Sequence, residues 1–410
     1  MSRFAFLVVS ALASASAQTS STTLLGTVVD SSGAPIAAAE ISATRVATNQ
    51  VRSTTTNEQG YYVLPSLEVG EYRVAVQKAG FKTQVRPGVV LQVNQRLTVD
   101  FSLPVGDVTE RIEVTSSVSA LDTSSATLGT VVEQKKIVDL PLNGRNYAQL
   151  AWLVPGVTPG QRHSNDSVNF SNPFQISANG QRQFNTEVTM DGVSINSALL
   201  NQSNFRPSID ALQEFRVQTG NYSAEYGMLS GAQVNLVLRS GSNSLHGTLF
   251  EFFRHDKLDA RDFFLPSTQP KAPFRQNQFG ATVGGPIKRD TTFFFLSYEG
   301  FRKRRAVVGN AVVLTEAERR GNFSALSTPL RDPDNTGQTF AGNIIPQNRL
   351  SSQAQRLLQY LPLPNATGTL NYTGVIRQSA NQEQGFARID HSIGTNDRLF
   401  FRYGISDQHV

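Results

Sequence analysis

Histidine, aspartate, serine and cysteine are the side chains that would carry chemistry first, and their spacing here assigns them none. The five histidines, His163, His246, His255, His391 and His409, are scattered. Two imidazoles that share a metal on one helix face stand four residues apart, as in HExxH, and no pair here does. His246 and His255 read instead as a strand residue and a loop residue. Gly280–Gly285 (GATVGG) lacks the GxGxxG spacing that seats a pyrophosphate on a helix N-terminus, and its glycines suit a strand with crowded neighbours. No P-loop or GxSxG is found. Asp30, Asp191 and Asp332 each stand in a turn context, where Asp favours its own backbone. Cysteine is absent, which removes disulfides, thiol nucleophiles and Cys–zinc sites at once. No catalytic residue, metal or cofactor is expected, and the chain is not read as an enzyme.

With catalysis set aside, the composition asks what the chain is built to sit in. Of 410 residues 39% are apolar and only 17% charged, against a usual ~25%. The net charge of +5 is thinly spread, and the longest basic run is Arg302–Arg305, just after an expected strand. Nucleic acid is not an expected partner. Arg3, the apolar Phe4–Ala13 and the small-x-small Ala15-Ser16-Ala17 form a signal peptide over residues 1–17, with Gln18 as the first mature residue. After it no apolar run approaches the ~18 residues of a membrane helix. The mature chain is therefore either soluble outside the cytoplasm or a membrane β-barrel, the other solution that satisfies its backbone in lipid.

Three kinds of sequence follow the signal peptide. From Leu25 seven short runs alternate apolar and polar residues, most clearly Tyr72, Val74 and Val76, then Leu97, Val99, Phe101 and Leu103. Turn residues separate them, as at Asp30–Gly33, Asn57–Gly60 and Arg86–Gly88, and the pattern predicts a seven-stranded β-sandwich. Next, Leu128–Asp139 predicts a strand running into a short helix, and Ser208–Gln218 a short capped helix giving way to a strand. Between them Leu140–Asn196 holds the only Trp, Trp152, beside Leu150, Leu153 and Val154, yet Pro and Gly punctuate it too often for regular structure. A segment that is both irregular and apolar has to be held inside something. Asp191-Gly192, between Val188, Met190 and Val193, Ile195, reads as a tight hairpin turn. From residue 241 five aromatic-rich runs alternate, as in Phe279, Ala281 and Val283 against Gln278, Gly280 and Thr282, or Leu399, Phe401, Tyr403 and Ile405 against Phe400, Arg402, Gly404 and Ser406. Apolar on one face and polar or small on the other is the pattern of transmembrane β-barrel strands. The stretch 303–384 reads as a long extracellular loop with one helix at Ser351–Tyr360.

Two resemblances rest on quoted motifs. Gly26, Val28, Asp30, Gly33, Pro35, Thr56, Gly60, Tyr62, Leu67, Gly70, Tyr72, Val74 and Gly80-Phe81 resemble the carboxypeptidase regulatory-like domain, which carries no peptidase chemistry and is similar to carbohydrate-binding folds. LPLNGRNYAQL (Leu140–Leu150), PGV (Pro155–Val157), MDGVSIN (Met190–Asn196), NYSAEYG (Asn221–Gly227), RSGSNSLHGTLFEFFR (Arg239–Arg254), FGATVGGPI (Phe279–Ile287) and FFFLSYEGFR (Phe293–Arg302) make the chain similar to the Oar-like TonB-dependent receptors of the outer membrane.

The second resemblance implies a mainly β chain in four parts. These are a signal peptide (1–17), the β-sandwich (18–104), a small α+β plug (105–240) and the first strands of an incomplete outer-membrane barrel (241–410). Asn143, Gly144, Arg145, Asn146, Asp191 and Gly192 would be plug motif residues. The implied partners are outer-membrane lipid, the TonB energy-transducing protein, and a small-molecule, carbohydrate or peptide substrate taken up by transport. Arg111, Ile112, Glu113, Val114 and Thr115 are the best placed segment for TonB, which reads an added strand through its backbone. Such barrels have roughly 22 strands, so the chain is expected to be an N-terminal fragment or a truncated product. The alternative reading is a secreted or surface module in which the sandwich binds carbohydrate and nothing is transported.

Overall fold

A computed structural model describes residues 22–109, 111–113, 125–160, 176–199, 201, 203, 205–261, 263, 271–335, 337–394 and 397–409. The expected signal peptide lies outside the described residues, as do Val114 and Thr115. The chain divides into two compact units, one of residues 1–252, 278–301 and 382–408, the other of 253–277, 302–381 and 409–410.

In the first unit the N-terminal strands are β1 (Thr22–Asp30), β2 (Glu40–Arg45), β3 (Val51–Thr55), β4 (Tyr61–Leu67), β5 (Gly70–Gln77), β6 (Thr83–Leu91), β7 (Arg96–Thr98), β8 (Phe101–Leu103) and β9 (Arg111–Glu113). One sheet runs β4-β1-β7 with β8 also on β1, the other β3-β2-β5-β6-β9. The alternating residues meet between them: Tyr72, Val74, Val76, Leu97, Val99, Phe101 and Leu103 are all buried in one core. The expected seventh strand is split in two. Asp100 accepts from the Thr27 N–H at 2.7 Å and from its hydroxyl at 2.8 Å. A side-chain carboxylate thus takes a ladder donor of β1, and β7 and β8 pair with β1 on either side of it.

The middle of the chain forms β10 (Leu128–Glu133), helix α1 (Gln134–Asp139), the pair β11 (Val157–Pro159) and β12 (Ile176–Ala178), β13 (Glu187–Met190), β14 (Val193–Ser194), β15 (Leu212–Gly220) and β16 (Gln233–Leu238). Its main sheet is ordered β10-β15-β16-β13-β14, with β13 parallel to β16. The strand and helix expected over 128–139 are both present. The capped helix expected from Ser208 is a single 3-10 turn, Ile209–Ala211, with no side-chain cap, because the chain joins β15 directly. The irregular stretch folds into 3-10 turns at Asn143–Arg145 and Tyr147–Leu153. Its apolar side chains are held as they must be: Tyr147, Leu150, Ala151 and Val154 are buried and Trp152 packs beside them, while Leu153 points to solvent.

The last sheet consists of β17 (His246–His255), β18 (Phe274–Lys288), β19 (Thr292–Ala311), β20 (Tyr372–Ile393) and β21 (Asp397–His409), each beside its chain neighbour. Its burial is inside out. Within the first unit Gln278, Thr282, Ser297, Glu299, Gln382, Gln384, Arg388 and Asp390 are buried, while Leu249, Leu296, Leu399, Phe401, Tyr403 and Ile405 are exposed. His246 and His255 are the two ends of β17, and the His246 ring meets the Ser244 carbonyl and Ser242 hydroxyl. The glycines of β18 do stand among crowded neighbours. A Cβ on Gly280 would fall inside contact distance of the Phe250 ring and the Tyr298 carbonyl, and one on Gly300 would meet the Phe279 ring.

In the second unit two boundaries differ from expectation. Arg302–Arg305 lies within β19 rather than after a strand, since ladder pairing continues beyond the aromatic run whatever the side chains are. The connection between β19 and β20 is correspondingly shorter than 303–384, running from residue 312 to residue 371. It holds helix α2 (Glu316–Arg319), with a Thr315/Glu318 capping box, and α3 (Ser352–Leu358) within the expected helix. Asp332 caps its own turn at the Asp334 N–H, as expected. It also takes a forked pair from Arg349 at 2.8 and 3.1 Å, which lowers its pKa.

Tyr72 tests the sandwich core. It is 3% exposed and its hydroxyl donates to the Glu68 carbonyl at 3.0 Å. Tyr72→Asp should cost several kcal/mol, because a buried carboxylate without a partner is strongly disfavoured. A polypeptide of residues 24–103 should melt cooperatively with β-type circular dichroism, and the variant should show neither.

Candidate functional site

The site grows from two turns of the middle module. Gly144 (φ 63°) and Arg145 (φ 50°) both adopt left-handed backbone, which turns Arg145 away from the strand path. Its guanidinium donates to Asp210 at 2.6 Å and stacks over the Phe250 and Phe252 rings at 4.2 and 4.4 Å. Asn146 caps the following 3-10 turn by accepting from the Ala148 N–H at 3.2 Å. Asn146 therefore fixes the local turn, and Arg145 binds it to β17.

Asp191 and Gly192 form the expected hairpin turn between β13 and β14, with φ of 47° and 86°. The Asp191 side chain does not cap that turn, contrary to expectation. One carboxylate oxygen accepts from the Leu238 N–H at 3.0 Å, and the other meets Arg402 at 3.1 Å and Arg388 at 3.3 Å. The turn's left-handed backbone points the carboxylate across at the last sheet, where two guanidinium groups compete with local N–H groups and prevail. Arg388 is further held by Asp390 at 3.0 Å, and Asp390 by Arg398 at 2.5 Å. Arg398 also meets Glu68, which pairs with Arg45 in the sandwich. One ionic chain thus joins the middle module, the last sheet and the sandwich.

A second junction joins sandwich and middle module directly. The turn after β6 places Val93, fully buried, against Val69, Val131 and Val237. Its N–H donates to the Glu214 carboxylate, and Arg216 donates to the Val93 and Asn94 carbonyls at 3.3 and 2.5 Å. Asn94 donates to the Tyr226 hydroxyl at 2.9 Å, and Gln92 to Glu133 at 2.8 Å. Burial pushes the Glu214 carboxyl up to about 7.

Of the candidate TonB segment, Arg111–Glu113 is strand β9, parallel to β6. It is not brought together with Arg145 or Asp191. Arg388, Asp390, Arg398, Arg402, Glu68 and Glu214 were not foreseen. A signal existed for the first two: Arg388 and Asp390 share the parity of β20 opposite to Ile389, so an ion pair was legible on the face turned from lipid. Glu68 and Glu214 sit in strand patterns that solvated residues would match equally well. Among the described residues no cluster suited to a metal ion is found.

Residues 23–104 match the carboxypeptidase regulatory-like domain, and residues 237–410 the outer membrane beta barrel domain. Over 292 residues the chain is 30% identical to the TonB-dependent transporter Oar of Myxococcus xanthus, covering 68% of this chain and 26% of that protein. The chain thus spans about a quarter of the length of this curated relative. Among solved structures, the ferric enterobactin receptor of Pseudomonas aeruginosa, in complex with enterobactin, aligns at 15% identity over 70% of this chain and 34% of its own, TM-score 0.39. The outer membrane transporter YddB of Escherichia coli aligns at 10% identity over 68% and 33%, TM-score 0.40.

Two measurements probe the junctions. Asp191→Ala leaves the buried Arg388 with one carboxylate instead of two, and breaking a buried pair costs ~3–5 kcal/mol. Its melting temperature in detergent should fall well below the parent's, and Asp191→Asn, whose single uncharged amide oxygen can serve Leu238 or the arginines but not both, should recover only part of that loss. Glu214 makes stability fall as pH rises. Its folded pKa lies above the unfolded value, so the unfolded chain ionises first. The loss should accrue from about pH 4.5 to about pH 7 and then level off, totalling on the order of 3 kcal/mol. Glu214→Gln, which still accepts from Val93, should remove that slope from melts recorded across this range.

Proposed function

As an outer-membrane protein homologous to the TonB-dependent transporter Oar, the chain is one for which we propose TonB-dependent receptor or transporter function. In this reading residues 1–17 are the cleaved signal peptide, 18–104 the regulatory-like sandwich, 105–240 the plug and 241–410 barrel wall. The observation that carries it is the pairing of inside-out strands with an inner module. The apolar side chains of β21 face outward while Arg388 and Asp390 of β20 are buried, and Asp191 of the middle module completes their ion pairs. A wall with a polar lumen and a folded domain filling it is the architecture of a plugged transporter.

Asn143, Gly144, Arg145, Asn146, Asp191 and Gly192 are then plug motif residues, of which Arg145 and Asp191 reach the wall, at Phe250 and Phe252 and at Arg388 and Arg402. The substrate is an unidentified small molecule, carbohydrate or peptide, and the energy source is TonB, reached through Arg111–Thr115. The relative's transporter name supports this reading, as does the extended form of β9, which a backbone-read partner requires.

The full gene product should resist extraction from membranes by salt and alkali and should migrate heat-modifiably on gels; release as a soluble periplasmic protein would favour the carbohydrate-binding module instead. In the same strain, Ile112→Pro or Val114→Pro should lower uptake while leaving substrate binding at the cell surface, since proline removes a backbone donor and fixes φ. Glu113→Ala should do much less. Uptake unchanged in both proline variants would place the coupling segment elsewhere, with Gln18–Thr23 next to examine.

A further inference from the structure

Besides its junction with the middle module, the sandwich stands on the end of the last sheet, and one short turn makes most of that contact. Between β2 and β3 the chain reverses over residues 46–50, where Asn49 adopts left-handed backbone (φ 57°) and its N–H donates to the Arg45 carbonyl at 2.9 Å. The Ala47 carbonyl accepts from the Asn243 N–H at 2.9 Å, just ahead of β17. The Asn49 side chain donates to the Asp290 carboxylate at 3.0 Å, in the turn between β18 and β19. Asn243 holds Asp290 in place, donating to its carboxylate at 2.7 Å and accepting from its N–H at 2.8 Å. Gln50 donates to the Ser392 hydroxyl near the end of β20, and Ser392 in turn donates its N–H to the Thr291 carbonyl at 2.9 Å. Glu68 adds its pair with Arg398 at the start of β21. These points are the neighbouring ends of β17 to β21, so they form one rim of the sheet.

The other foothold is the turn after β6. There Val93 donates to Glu214, Arg216 donates to the Val93 and Asn94 carbonyls, and Asn94 reaches Tyr226. Glu214 and Arg216 belong to β15, and Gln92 meets Glu133 at the end of β10. Both footholds project from one body with its own buried core and two sheets. A close-packed body yields little, so two points fixed to it are fixed relative to each other.

We propose that the sandwich is a brace. Seated on the rim and on β10 and β15 together, it holds that side of the middle module still within the wall, and release of the turn 46–50 from the rim is a step that must precede movement of the module. While both footholds stand, a shift of β15 has to break the buried contact between Val93 and Glu214. Once the rim lets go, the sandwich travels with β10 and β15 and that contact survives the shift. The sandwich thus regulates movement of the inner module and needs no ligand of its own to do so. This rests on the reading of residues 105–240 as plug and 241–410 as wall.

The test uses the full gene product reconstituted in lipid vesicles and reads amide hydrogen exchange in β10 and β15, which no substitution touches. Asn49→Asp keeps a residue that tolerates the left-handed turn but sets a second carboxylate against Asp290. It should speed exchange there about fivefold or more, because local opening no longer has to break a braced contact. The absence of cysteine makes the converse variant specific. Ala47→Cys with Asn243→Cys, linked by a short bis-methanethiosulfonate that a reductant cleaves, should slow the same exchange below that of the reduced protein, and reduction should undo the effect. Failure to link would show that the turn does not stand on the rim and would overturn the brace. Exchange in β10 and β15 that ignores the link, with β18 to β20 protected, would overturn the brace alone. Rapid exchange throughout β18 to β20 in the parent would overturn the wall reading itself and this inference with it.

Discussion

A strand that crosses a bilayer gives its apolar side chains to lipid, and every second residue must then face inward. On β20 that inward row includes Arg388 and Asp390, both nearly inaccessible to water. A guanidinium in such a place needs its charge balanced and its donors filled, or the strand cannot keep its register. Asp390, on the same strand, is shared with Arg398 and answers only part of that need. Asp191, delivered by a left-handed hairpin turn, supplies the rest. The turn can hold that geometry because β13 is locked in parallel against β16, whose Leu238 N–H reaches the same carboxylate. Wall and inner module are thus mutually required: neither presents a satisfied surface without the other.

The same logic extends to the sandwich. Val93 enters an apolar niche, but around it the contacts are polar and partly exposed, and Glu214 is held near neutrality by burial. The ionic chain reaches the sandwich as well, through Arg398, Glu68 and Arg45, beside the buried Glu214 and Arg216 at Val93. The sandwich has its own core and its own two sheets, so it can keep its fold whatever happens at that junction.

Much of this was legible in the sequence, because period-two alternation reports burial directly. Tyr72, Val74 and Val76, or Leu399, Phe401 and Tyr403, behave as their spacing implies, the first set inward and the second outward. The Asp191-Gly192 turn was legible from residue type alone. What alternation cannot report is which partner a polar residue meets across the molecule. Asp191 was readable as a turn residue and not as the counter-ion of Arg388, since the two lie far apart in the chain. Asp100 broke an expected strand for a similar reason, its carboxylate reaching a backbone N–H on β1. Strand ends were the least legible, as at Arg302–Arg305, because ladder hydrogen bonds continue without regard to side-chain polarity.

The crowded glycines of the wall carry a consequence for descent. Gly280 lies under the Phe250 ring and Gly300 under the Phe279 ring, so each glycine and the aromatic covering it occupy one shared volume on adjacent strands. At Gly280 the Tyr298 carbonyl bars a Cβ whatever stands at 250, but at Gly300 the nearest atoms are all of the Phe279 ring, so a larger residue at 300 needs a smaller one at 279. Across related chains the two positions should therefore drift as a pair, a larger residue at the glycine position accompanying a smaller one at the aromatic position. Such linked variation would reveal strand neighbours in the wall to anyone holding only an alignment.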